Sequence, residues 1–316
     1  MSIRWPLIRY LPSNTHIDFV RLAPFAAALS ALAILASCFS FFSQGLNLGI
    51  DFSGGTEMQV TTVGPAPIGD LRKAMEKTGE ADPEVQQFGA SGHSAMLRFK
   101  PTAGQDPTAA ANQVRGAIVK QFPGIHIGQT STISAKVSGE LFRSGFMALG
   151  IAVLLMLAYI WFRFQLQFGL GAVIALAHDV FLTIGILSAL QIEFSTSSIA
   201  ALLTVIGYSM NEKVITFDRL RENLRKYKKT PLREVINLSE NERLSRTLIT
   251  GASALLALSG TLTIGGPALF PLVFTMAFGI VVGTYSSVYV ALPVILLWGV
   301  NRGDDIEIIK PQGARP

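Results

Sequence analysis

Charge and cysteine are both scarce in this sequence of 316 residues. Charged residues make up 15% of the chain, whereas they make up about 25% of a typical soluble domain. The single cysteine, Cys38, excludes an intrachain disulfide bond and a CxxC metal site. The sequence also lacks a Ser/His/Asp, metal-binding or nucleotide-binding constellation. We therefore expect no enzyme activity, no cofactor and no bound metal.

Hydrophobic residues, in contrast, make up half of the chain. They gather in six runs that are long enough to cross a bilayer as helices, which takes about 20 residues each. The sequence therefore predicts an α-helical membrane protein with six transmembrane helices. The predicted spans are residues 22–42, 144–162, 168–190, 194–217, 247–265 and 270–300.

Basic residues are distributed unevenly around these runs. Residues 218–246 hold nine Lys or Arg, and the N-terminus adds Arg4, Arg9 and Arg21, while the turns at 191–193 and 265–266 hold none. Basic residues close to spans stay on the cytoplasmic side. We therefore expect a cytoplasmic loop at 218–246 and cytoplasmic termini at 1–21 and 301–316. This uneven distribution of Lys and Arg also accounts for the net charge of +5, so the charge does not require a nucleic-acid-binding surface.

One large segment, residues 43–143, lies outside the apolar runs. Its pattern predicts strands at 56–63, 84–88, 94–100 and 126–134, with helices at 67–79 and 107–122. The order βαββαβ is typical of an α+β ferredoxin-like fold. Because both ends of the segment join outward ends of spans, we expect a periplasmic domain between helices 1 and 2.

A glycine-rich stretch joins the first run to this domain. Its residues Gly49, Asp51, Gly54 and Gly55 suggest a phosphate-binding loop, but the lysine and the following helix of a P-loop are missing. We interpret the stretch as a tight turn from span to strand.

The apolar runs carry very few ionisable groups. Asp179 lies beside His178 within the third run, and Glu212 and Lys213 lie late in the fourth. Such groups are costly at bilayer depth, and they usually face protein or water and mark a proton pathway or a counter-ion. Small or polar residues recur every four positions on the same faces, which lets membrane helices approach closely. These stripes are Gly171, Ala175, Asp179 and Thr183; Ser197, Ala201, Ser209 and Lys213; and Gly279, Gly283, Ser287 and Ala291.

Depth separates the two opposite charges in this interpretation. Counted from the predicted cytoplasmic ends at 1.5 Å per residue, Asp179 lies about 20 Å deep and Lys213 about 8 Å deep. Lys213 is then able either to pair with Asp179 or to extend to the headgroups beside Glu212. The shorter Asp179 side chain cannot reach the headgroups, so Asp179 is the candidate for loading and releasing protons. We expect the energy of this proton movement to move the outer domain.

Five sequence blocks resemble the SecF family of the bacterial SecD/SecF protein-export complex. They are GIDFSGG at 49–55, AHDV at 177–180, IGYSMNEK at 206–213, FDRLREN at 217–223 and RTLIT at 246–250. The resemblance implies a six-span half of a resistance-nodulation-division (RND) type transporter in the inner membrane. It implies pairing with SecD beside the SecYEG channel, often with YajC. It also implies that the proton-motive force pulls translocating preproteins outward after the SecA motor has pushed them in.

The resemblance also implies roles for single residues. Asp179 matches the family's intramembrane aspartate, and we place the family's arginine of the fourth span at Lys213. Glu212 stands where the family has aspartate, and the stretch 134–141 lacks the proline of the family's Val-Gly-Pro block. The candidate proton pathway is His178, Asp179, Ser209, Asn211, Glu212 and Lys213.

Two other classes of protein are alternatives to this interpretation. A half-size RND-type, proton-coupled transporter subunit for another substrate would share the intramembrane acid, although such proteins usually carry both halves in one chain. A purely structural assembly subunit would need no buried acid. Replacement of Asp179 by asparagine would leave a structural subunit unaffected but would impair a proton-coupled one, and so distinguishes the two.

Overall fold

The computed structural model describes residues 15–88, 92–102, 105–266 and 268–300. The predicted cytoplasmic tail 301–316 and most of the predicted N-terminal segment, with Arg4 and Arg9, lie outside the described residues. In chain order the elements are α1 (Phe19–Gln44), α2 (Ile50–Ser53), β1 (Gly55–Thr61), α3 (Ile68–Glu76), β2 (Ala81–Phe88), β3 (Ser94–Lys100), α4 (Pro107–Gln121), β4 (His126–Ile133), α5 (Ala135–Arg163), α6 (Leu166–Ala189), α7 (Thr196–Lys226), α8 (Leu232–Ile264), α9 (Phe270–Ser286), a π-helix (Ser287–Ala291) and α10 (Leu292–Trp298).

Within the described residues, five helical segments are long and apolar enough to cross a membrane. They are α1, α5, α6, α8 and the continuous stretch Phe270–Trp298. Helix α7, which covers the predicted fourth span, is not among them. Its polar residues, among them Ser209, Glu212 and Lys213, lower its mean hydropathy. These three residues are buried, so their polar side chains face other helices.

The small domain is a four-stranded antiparallel sheet of order β2-β3-β1-β4. Helix α4 begins at a proline, which its first turn tolerates, and Asp106 accepts the Ala109 N–H as its N-cap. One face of the sheet and the inner faces of α3 and α4 form a core that includes Met58, Leu71, Leu97, Val114 and Ile118. The domain therefore has a hydrophobic core of its own.

Helices α6 and α7 form the centre of the helical bundle. The predicted stripe on α6 and the stripe that runs from α9 into the π-helix are buried, and so is the stripe on α7 apart from the half-buried Ser197. Helices α1, α5 and α8 surround them with mostly exposed apolar faces. The π-helix lies just before Pro293, whose missing N–H leaves an α-helical bond unmade.

Three helices extend beyond the predicted spans. The segment 218–246, predicted as a loop, is mostly helix, because α7 continues to Lys226 and α8 already begins at Leu232. Ion pairs such as Arg219 to Glu242, at 2.8 Å, join these helical extensions. The polar side chains of the segment thus find partners on the neighbouring helix. Helix α5 likewise begins at Ala135 rather than at 144, because Ser134 caps it by accepting the Val137 N–H.

We expect Gly279→Leu to destabilise the bundle. A Cβ atom at Gly279 would collide with the Val205 side chain of α7, and inserting atoms into a packed core costs about 1–3 kcal/mol. Thermal unfolding in detergent measures the loss. Gly260→Leu is the matched control, because nothing lies within 4 Å of the corresponding position on α8. Equal unfolding temperatures of the two variants would contradict the close packing of α7 and α9.

Candidate functional site

Asp179 of α6 and Lys213 of α7 form an ion pair in the interior of the bundle. The Lys213 Nζ lies 2.8 Å from the Asp179 Oδ2, and both side chains are fully buried. The structure therefore excludes the alternative in which Lys213 extends to the headgroups. An ion pair removed from water requires further hydrogen bonds to offset its desolvation.

Two serine hydroxyls supply those bonds. Ser209 of α7 donates to the Asp179 Oδ2 at 2.5 Å and accepts from the Lys213 Nζ at 2.5 Å. Ser286 of α9 donates to the same carboxylate oxygen at 2.7 Å and accepts from Lys213 at 3.1 Å. Three helices thus meet at one carboxylate, and a change in its charge acts on all three.

The other carboxylate oxygen faces His178 and α1. The His178 Nδ1 lies 3.0 Å from the Asp179 Oδ1, and the His178 Nε2 lies 3.2 Å from the Ser30 Oγ of α1. The imidazole also stacks on the Tyr285 ring, with 6.1 Å between ring centroids. His178 thus links the ion pair to α1.

Depth did not separate the two charges as predicted. The estimate for Lys213 was wrong because α7 runs to Lys226, well beyond the predicted end at 217. Counted from Lys226 in α7 and from Leu166 in α6, both charged residues lie about 20 Å from the helix ends on the same side. Equal depth brings the pair into contact.

Glu212 belongs to a second buried cluster. Its Oε2 accepts from the Thr247 Oγ1 at 3.1 Å and lies 3.6 Å from the Arg243 guanidinium. Arg243 also pairs with Glu240 at 2.6 Å and donates to the Ser287 Oγ at 3.0 Å. Adjacent serines of α9 and the π-helix, Ser286 and Ser287, therefore contact the two clusters. Asn211 points away from both and is exposed.

The glycine-rich stretch is more than a turn, because it holds the small domain against the bundle. Residues 50–53 form the short helix α2, and Asp51 accepts from the backbone N–H of Thr196 at 2.9 Å and from its hydroxyl, at the start of α7. A Cβ atom at Gly49 would collide with Glu193, and one at Gly55, whose φ is +112°, would lie 2.7 Å from the Phe99 carbonyl oxygen. Gly55 therefore requires glycine, whereas a side chain at Gly49 would displace the Glu193 carboxylate from its position.

Arg98 of β3 adds an ion pair at this contact. It lies 2.5 Å from Glu193, in the turn between α6 and α7, and 3.0 Å from Glu57 of β1. Two backbone hydrogen bonds lie beside it, Gly49 N–H to Phe194 O at 2.9 Å and Phe194 N–H to Asn47 O at 2.7 Å. We call the side chains of Asp51, Arg98, Glu193 and Thr196 the domain latch.

Burial raises the pKa of the Glu193 carboxyl, and the nearby carboxylates of Glu57 and Asp51 raise it further, against the lowering effect of Arg98. The Arg98 guanidinium thus pairs with two carboxylates, Glu193 and Glu57, and the charge of Asp51 acts on Glu193 as well. The turn that carries it joins the two helices of the Asp179–Lys213 pair.

Five residues of these clusters were not predicted from the sequence: Ser30, Ser286 and Tyr285 beside the ion pair, and Arg243 and Glu240 beside Glu212. Polar residues inside apolar runs are the signal that would have found the first three. Arg243 and Glu240 fell in the segment that was predicted as a loop. In the described ranges no group of three or more His, Cys, Asp or Glu has an arrangement able to hold a metal ion.

Comparison with known proteins agrees with these features. A family model described as protein export membrane protein SecD/SecF, C-terminal, matches residues 114–301, and one described as the SecD/SecF GG motif matches residues 39–66. The protein translocase subunit SecF of Cereibacter sphaeroides is 42% identical over 306 residues, which are 94% of each chain. The SecF subunit of Escherichia coli O157:H7 is 38% identical over 291 residues, 90% of this chain and 88% of that one.

A solved structure has the same fold. The crystal structure of SecDF, a translocon-associated membrane protein from a Thermus species, is 30% identical, with a TM-score of 0.84 over 94% of this chain. The chain spans 40% of the length of that protein. The apolar helices and these matches make the chain a multi-pass membrane protein, and it belongs to the SecD/SecF family of protein-export membrane proteins.

Proposed function

We propose that the chain is the SecF subunit of a Sec protein translocase and uses the proton-motive force, together with SecD, to complete the outward translocation of preproteins. Its family comprises protein-export membrane proteins and not enzymes. The observation that carries the proposal is the fully buried Asp179–Lys213 pair at the meeting of α6, α7 and α9. A carboxylate at this depth is a proton site whose charge is coupled to helix packing.

The proposed topology has six crossings, in which the buried α7 joins the five apolar segments as half of an RND-type transporter. Both termini then lie in the cytoplasm, and the domain of residues 43–143 lies in the periplasm as a ferredoxin-like unit. The antiparallel order β2-β3-β1-β4, with one helix before β2 and one before β4, supports that assignment. The proposed location is the inner membrane.

The proposed partners are SecD, the SecYEG channel, YajC, the preprotein and protons. A solved relative is more than twice the length of this chain and bears the name SecDF, which supports SecD as the companion half. Purification of the tagged chain in mild detergent tests this, and we expect a SecD-like chain to co-purify. A chain that purifies alone from a membrane containing SecD would contradict the pairing.

The mechanism follows from the charges in the pair. While Asp179 is ionised, its carboxylate holds Lys213, Ser209 and Ser286 together. Protonation removes the negative charge and leaves a buried ammonium without its counter-ion, an arrangement that costs several kcal/mol. The helices are therefore expected to rearrange, so that proton binding selects a second conformation.

The domain latch provides a route from the pair to the outer domain. The turn that holds Glu193 is continuous with the ends of α6 and α7, and Glu193 pairs with Arg98 of β3. A movement of α6 against α7 therefore displaces the point at which the outer domain rests. In the proposed cycle this displacement pulls the bound preprotein outward.

A halted-translocation assay tests the proposal. Membrane vesicles are loaded with a preprotein, ATP is removed so that the chain stops partway, and a proton gradient is then imposed. We expect completion to require both the gradient and this subunit, and a protonophore to stop it. Completion at the same rate in vesicles that lack the subunit would contradict the proposal.

A further inference from the structure

A row of hydrogen-bonding groups leads from Asp179 to α1. It continues past the His178–Ser30 contact, where the Ser30 Oγ lies 3.0 Å from the Tyr285 hydroxyl. The Tyr285 hydroxyl in turn donates to the Ala26 carbonyl oxygen at 2.8 Å. The row thus has four contacts and crosses from α6 to α1 and α9. Asp179 is fully buried, His178 and Ser30 are nearly so, and Tyr285 is half-buried.

Counting hydrogens shows what this row requires. When Asp179 is ionised and His178 is neutral, three hydrogens are present for four contacts, one each from the imidazole, the Ser30 hydroxyl and the Tyr285 hydroxyl. One contact is then left without a hydrogen, whichever tautomer His178 adopts. One added proton completes the row. His178 Nε2–H then donates to Ser30, Ser30 to Tyr285 and Tyr285 to Ala26, and the carboxyl proton lies between Asp179 and His178 Nδ1.

We propose that His178, Ser30 and Tyr285 form the relay through which Asp179 exchanges its proton with water, an inference that rests on the proposed function. In the release step His178 Nδ1 takes the carboxyl proton and the Nε2–H proton passes to the Ser30 oxygen. The Ser30 hydroxyl proton passes to the Tyr285 oxygen, and the Tyr285 hydroxyl proton passes to a water molecule. One proton enters the relay and one leaves it, and Asp179 regains the negative charge that holds Lys213.

The surroundings favour this side of Asp179 over the other. On the Oδ2 side, Lys213 faces the carboxylate from α7, with Ser209 beside it and Ser286 opposite on α9. The charges of Glu212 and Arg243 lie beyond Lys213. A proton moving that way would approach a cation. On the Oδ1 side, α1 and α9 present the neutral Ser30 and Tyr285 to His178, and the Tyr289 ring of the π-helix lies tilted against the Tyr285 ring at 5.3 Å between centroids.

Serine substitutions in α1 test the relay with a matched control. Ser30→Ala removes one member of the row. Ser40→Ala removes a similarly buried serine of the same helix, which contacts Ser188 of α6 at 3.1 Å and does not touch the row. Both are measured in the halted-translocation assay and as proton flux through reconstituted SecD-containing complexes with a pH-sensitive dye.

We expect Ser30→Ala to slow both readouts at least about tenfold, since a positioned proton-transfer group commonly contributes more than that. Tyr285→Phe, which keeps the stacked ring, is expected to act alike, whereas Ser40→Ala retains the wild-type rate. Ser30→Thr restores the hydroxyl and is expected to recover most of the flux. Deuterated water is expected to slow proton flux through the wild-type complex, and to slow it by a different factor in Ser30→Ala.

The outcomes separate the two claims. A wild-type complex whose completion step ignores the proton gradient would overturn the proposed function and the relay with it. A gradient-dependent wild type in which Ser30→Ala and Ser40→Ala have equal rates would overturn the relay alone. Equal rates for Ser30→Ala and Ser30→Thr, both slow, would assign the loss to packing and would overturn it too.

Discussion

Asp179→Asn is expected to abolish the acceleration of preprotein completion by a proton gradient while leaving the ATP-driven stage intact. Asparagine has nearly the same shape as aspartate but cannot exchange a proton near neutral pH. It accepts from Ser209 and Ser286 through one oxygen, yet it carries no charge to oppose Lys213. The measurement is the rate of the chase in the halted-translocation assay, with and without the gradient.

The same substitution has a predicted cost in stability. Removing one member of a buried ion pair leaves the other charge uncompensated, which costs about 3–5 kcal/mol. Asp179→Asn combined with Lys213→Gln removes both charges and is expected to recover most of that loss, because the two effects are coupled through a 2.8 Å contact. Both variants are therefore expected to lack gradient dependence, and only the single one to be strongly destabilised.

The control for this pair is Thr183→Val, one turn along α6. Thr183 is fully buried, and its hydroxyl donates to the Asp179 backbone carbonyl rather than to the carboxylate. We expect this variant to keep its response to the gradient. A double variant that is stable yet still accelerated by the gradient would contradict a proton-coupling role for Asp179.

The central pair illustrates what the sequence can and cannot reveal. A four-residue stripe correctly placed Asp179 and Lys213 on inward faces, because helix periodicity is a local property. Their contact was not predictable from depth, since that estimate depended on where α7 ends. The polar residues after 217 are typical of a loop, but Arg219 and Asn223 are held in helix by partners on α8, such as Glu242. Partners that are distant in sequence cannot be read from local composition.

The latch was unpredictable for a related reason. Glycine positions suggested a turn, and the sequence pattern predicted all four strands, with the bounds of β3 correct at 94–100 but β2 beginning three residues before the predicted 84. Nothing in the local sequence indicated that Arg98 of β3 would meet Glu193, almost a hundred residues later. Glu193 lies in a three-residue turn, and the lack of Lys and Arg in that turn was used only to predict on which side of the membrane it lies. Its function as a contact for the domain emerges only from the tertiary structure.

Arg98→Gln is expected to release the outer domain from the bundle. Without the guanidinium, the carboxylates of Glu57, Asp51 and Glu193 face each other at a largely buried contact. Loss of a buried partner costs up to several kcal/mol, and the partial exposure of Glu193 reduces that figure. Hydrogen exchange at the Gly49 and Phe194 amides, whose bonds join the two parts, is expected to accelerate at least about tenfold. Lys100→Gln is the control, because Lys100 lies on the same strand and pairs with Asp82 at the surface.

Glu193 gives the same latch a predicted dependence on pH. Burial raises the pKa of this carboxyl in the closed latch, whereas in an opened latch it would face water with an ordinary pKa of about 4.3. The closed state thus binds the proton more tightly. Falling pH favours closure, and that contribution is lost as pH rises through the raised pKa.

We expect exchange at Gly49 and Phe194 to quicken as pH rises through this window, after correction for the intrinsic exchange rate. Glu193→Gln, which imitates the protonated form, should hold the latch closed and remove the dependence. Faster opening in Glu193→Gln than in the wild type at high pH would show that the ion pair, and not carboxylate crowding, controls this contact.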